Sequence, residues 1–100
     1  MTYDIVLVSP VEQSLDAISN ASFAEVDNAI RTLAAFPDRG VAYDPIYEAA
    51  PSHIGEPLRV LYVRNYGIYY TVDHASHRVY VRFIEDQRMD PKMRFTGRLR

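Results

Sequence analysis

Guanidinium groups dominate the chemistry available in the second half of this chain. Residues 58–100 carry nine basic side chains, eight of them arginine, against four acids. Residues 1–57 carry nine acids and two bases. The two halves have net charges of −7 and +5 while the whole is only −2. The planar donor fork of arginine matches phosphate and carboxylate oxygens. The asymmetry therefore points to one half that meets an anionic partner and one that faces water. The plainer alternative is a solvated sheet face followed by a basic tail.

Period-two alternation after residue 58 sharpens the question. It is expected to place Arg59, Tyr69, Thr71, Tyr80 and Arg82 on one sheet face, with the apolar partners on the other. Bases on neighbouring strands repel unless something neutralises them, so their clustering argues for an anionic ligand. Outward tyrosine rings at 69 and 80 would offer stacking surfaces to nucleic-acid bases. Glu56, just before Pro57, is a carboxylate at a strand start; such a residue is more often a solvated loop side chain than a base.

Other chemistries find little support. The chain has no cysteine, hence no thiol nucleophile and no disulfide. His74 and His77 fall in an expected turn with only Asp73 near them, which is a poor metal set. No glycine-rich phosphate loop and no G-x-S-x-G elbow occurs. Neither a metal nor a cofactor is expected. The N-terminal residues lack the charged and apolar regions of a signal peptide, and no apolar run is long enough to span a membrane. The expected setting is the cytoplasm.

The elements that must position these groups follow from pattern. A hydrophobic fraction of 48% in 100 residues is enough for one packed domain, so residues 1–100 are expected to form a single unit with a basic tail over 85–100. Residues 3–8 read as a strand. Ser9, Pro10 and Glu12 give a cap, a first-turn proline and a capping box, so a helix should run to about Asn20. Ser22 to Glu25 repeats the box, and Phe23, Val26, Ile30 and Leu33 continue at helical spacing until Pro37 and Gly40. The short join implies an antiparallel hairpin. Residues 38–57 are a proline-punctuated loop with room for a short strand or turn. Three alternating runs, around 58–63, 68–72 and 79–84, make an antiparallel meander. The fold class expected is α+β: an N-terminal strand, a helical hairpin and a three-stranded meander, about four strands in all.

That order, with Glu56-Pro57-Leu58-Arg59, then Asn65-Tyr66-Gly67-Ile68-Tyr69-Tyr70-Thr71-Val72-Asp73, then Arg78-Val79-Tyr80-Val81-Arg82, resembles the RelE/ParE superfamily of type II toxins. The resemblance covers roughly residues 3–91. It implies a toxin neutralised by a cognate antitoxin. In ribosome-dependent members it implies metal-independent mRNA cleavage by attack of a ribose 2′-OH on the adjacent phosphate, which stops translation and arrests growth. Such chemistry needs a base, cations for the phosphorane charge and a proton for the leaving oxygen. By position, Glu56 would be the base, with Arg59 and Arg88 completing the catalytic set. Arg64, Tyr69, Tyr80, Arg82 and Arg94 would bind RNA on the ribosome.

Two departures bear on activity. Ribosome-dependent members usually carry Arg after the Tyr of the third strand, where this chain has Gly67. Their basic segment after the last strand appears here as Asp86-Gln87-Arg88, so only Arg88 matches. The ParE branch, which acts on DNA gyrase without cleaving RNA, often lacks that first arginine. Ribosome-dependent mRNA cleavage is the first expectation, ParE-like gyrase inhibition the second, and a degenerate toxin that only binds its antitoxin the third.

Overall fold

A computed structural model describes residues 2–42 and 58–88. The fold is α+β. Strand β1 (Asp4–Leu7) is followed by α1 (Ser9–Ala17), α2 (Asn20–Thr32), β2 (Val41–Ala42), β3 (Arg59–Val63), β4 (Tyr66–Asp73) and β5 (Arg78–Asp86). The sheet order is β1-β5-β4-β3-β2. β3, β4 and β5 form the expected antiparallel meander. β1 pairs parallel with β5, from Asp4 opposite Arg78 to Leu7 opposite Val81. The fifth strand is β2, within the proline-punctuated segment, antiparallel to β3.

Both helices begin earlier than their sequence signals imply. Val8, an extended residue, occupies the cap position of α1, and no side chain bonds there, so Ser9 is not the cap. The second cap is Ser19, whose hydroxyl accepts from the Ser22 N–H at 3.5 Å. Ser22 is thus three residues inside α2 rather than at its start. Only Ile18 and Ser19 separate the helices, which ends α1 at Ala17 rather than Asn20.

α1 packs on β5, and α2 reaches β3 and β4. Between them lie Val11, Ile18, Val26, Ala29, Ile30 and Leu33 from the helical half and Ile68, Tyr70, Val79, Val81 and Ile84 from the sheet. Burying each large apolar side chain contributes about 1.5–3 kcal/mol. Leu61 and Val63 of β3 join this core, whereas the alternation suggested that Leu58, Val60 and Tyr62 would. The latter strand face points the other way: Leu58 and Val60 form a second cluster with Tyr69 and Phe83, and Tyr62 is exposed. Both alternations in β3 are apolar, so register and not hydrophobicity decides its facing.

A register shift lies between Tyr69 and Tyr70, which pair with Phe83 and Val81 and leave Arg82 as the extra residue of a β-bulge. The bulge exchanges the faces of the strand beyond it. Phe83 turns away from the helices and Ile84 turns toward them.

One buried polar device fixes the end of α2 to the sheet. The Tyr70 hydroxyl donates to Pro37 O at 2.8 Å and accepts from the Gly40 N–H at 2.9 Å. A Cβ on Gly40 would fall 2.7 Å from that hydroxyl and from Val60 O, so the close approach requires glycine.

Candidate functional site

The bulge determines where Arg82 points. Its Nε donates to Thr71 Oγ1 at 3.1 Å, and its Cζ lies 5.1 Å from the Tyr80 ring centroid. Thr71 is fully buried, the one such polar residue among the described residues, and sits opposite Tyr80 on the face away from the helices. A bulge commonly re-aims a side chain, and cation–π contact adds to the positioning. The result is a guanidinium held by a hydroxyl on one side and a ring on the other. Tyr80 therefore supports the arginine rather than presenting a bare ring to a base.

Arg78 joins this row from two residues upstream, exposed at the start of β5. The Tyr80 hydroxyl beside it, and then Asp4 and Asp73, hold its guanidinium above the ordinary arginine range. Neither Arg78 nor Thr71 was among the binding residues expected from sequence. Their signal was the alternation that puts 71, 78, 80 and 82 on one face.

The remaining expected residues do not converge on that row. Tyr69 is fully buried, in the second cluster with Leu58, Val60 and Phe83, so it is no stacking platform. Arg59 pairs with Tyr70 across the β3–β4 ladder, and directly opposed residues share a face. It therefore lies on the helix side, opposite to Arg82. There its Nη2 donates to Asp38 O at 3.0 Å and to Gly40 O. Arg59 thus fastens the segment after α2, and the expectation of a shared Arg59–Arg82 face is overturned.

Arg64, in the β3–β4 turn with a left-handed φ of 53°, forms a two-pronged pair with Glu25 of α2. The hydrogen bond to Arg64 holds the Glu25 carboxyl below the usual glutamate range. Arg88 is likewise paired twice with Asp86, Nε to Oδ1 at 2.9 Å and Nη2 to Oδ2 at 2.7 Å. Asp86 and then Tyr66 hold it above the ordinary arginine range. Glu56 and Arg94 lie outside the described residues.

Position 67 is closed by its neighbours. A Cβ there would sit 2.6 Å from Gln87 Nε2 and 3.0 Å from Tyr69 Cε1. Gln87 donates from the same nitrogen to the Tyr69 hydroxyl and to Glu85 O, both at 3.2 Å. The side chain missing from residue 67 is replaced in space by an amide from the segment after β5.

Away from the row, Tyr3 is held by the β4–β5 turn. Its hydroxyl lies 2.7 Å from His74 Nδ1, and its ring meets those of His74 and His77 edge-on at 5.7 and 5.1 Å. The turn itself is shaped by Asp73, whose Oδ1 accepts from the Ala75 and Ser76 N–H groups. The histidines thus anchor the start of β1. Among the described residues, no three histidine or carboxylate groups gather as a metal set.

Compared with known proteins, the sequence matches no family model and no curated protein. No helix among the described residues is long and apolar enough to cross a membrane.

Proposed function

We propose that this chain is a cytoplasmic type II toxin of the RelE/ParE kind that acts by binding its target, with DNA gyrase as that target and a cognate antitoxin as its neutralising partner. Its support is the order of strand, helical pair and meander, together with the dispersal of the cations that RNA cleavage would need. The observation that favours binding over cleavage is the placement of Arg59 and Arg82 on opposite faces of the sheet, which also removes the shared basic face expected of the family. Charge stabilisation at a phosphorane requires donors aimed at one point. Among the described candidates, Arg59 meets backbone carbonyls, Arg88 pairs with Asp86, and position 67 carries no side chain. A binding inhibitor has no such demand.

A second reading, ribosome-dependent mRNA cleavage, is favoured by one arrangement. Arg82 set over Tyr80, with Arg78 beside it, is a cationic-aromatic strip of the kind that meets a single-stranded backbone. The two readings separate in purified assays. Dose-dependent loss of gyrase supercoiling, with intact mRNA in a translating extract, supports the first. Codon-positioned cuts only when ribosomes are present, with gyrase unaffected, sink it in favour of the second. Growth that continues normally on induction, with tight capture of an antitoxin, leaves neither inhibitor reading standing.

A further inference from the structure

We draw no further inference here: the strongest candidate, the side-chain cluster of Tyr3, His74 and His77 where the β4–β5 turn meets the start of β1, is accounted for by the anchoring contacts its members make with one another, and nothing among the described residues beside it points to a ligand.

Discussion

The amide of Gln87 occupies the volume that any side chain at Gly67 would need. The consequence is directional. Gly67→Arg must displace the end of Gln87 or the Tyr69 ring. Overpacking of this kind costs about 1–3 kcal/mol. The expected outcome in urea denaturation is a lower midpoint for Gly67→Arg and a partial recovery when Gln87→Ala is added. Additive losses in the double variant would show that the two positions do not compete for space.

Arg82 is expected to matter through its aim as well as its charge. Arg82→Ala should raise the half-maximal dose in the supercoiling or translation assay by about tenfold, the scale of one charge-assisted contact. Thr71→Val keeps the buried shape but removes the hydroxyl acceptor, so it should weaken inhibition in the same direction and by less. Circular dichroism of both variants should be unchanged. Full activity in Arg82→Ala would remove this row from the target interface.

The Glu25–Arg64 pair makes a pH prediction with a definite sign. The carboxyl of Glu25 is held below its ordinary value by Arg64 in the folded chain. A group with a lowered folded pKa stabilises the fold above its unfolded pKa, about 4.3 for glutamate. That contribution is lost as pH falls through the lower folded value. Arg64 stays charged throughout. Thermal unfolding followed from pH 7 down to 3 should fall less steeply in Glu25→Gln than in the parent. Both groups are well exposed, so the effect should shrink as salt rises.

Tyr70→Phe removes the hydroxyl that joins Pro37 O to the Gly40 N–H. With the buried Gly40 N–H left unmet and the part-buried Pro37 carbonyl losing its donor, the expected loss is about 1–3 kcal/mol. Hydrogen exchange should locate it: the Gly40 amide should lose protection before the amides of β4 do.

How much was legible beforehand follows from where each signal was local. The meander and the two helices rest on periodicity within single segments, and they stand. The strand faces do not, because facing is a property of pairing. Leu58, Val60 and Tyr62 are as apolar as Leu61 and Val63, and nothing within β3 says which set meets the helices. Val79, Val81 and Phe83 look like one unbroken alternation, yet the bulge at Arg82 sends Phe83 to the other side. Arg59 was misplaced for the same reason. The capping box at Ser22 is locally plausible, but Ser19, three residues earlier, takes the role once α1 stops short. The closure of position 67 by Gln87 joins residues 20 apart, and no local pattern announces it.

The parallel pairing of β1 with β5 has a consequence for synthesis. Strand β1, from Asp4, finds its neighbour only once Arg78 to Val81 have been made. At roughly 5–20 residues per second the interval is on the order of 4–15 s. Throughout it the nascent helices have no finished sheet to lie on. The Arg82 bulge, which belongs to β5, can form only once β4 and β5 have both been made. A chain cut short before residue 78 would carry α1 and α2 and yet lack the row on which its action is proposed to depend.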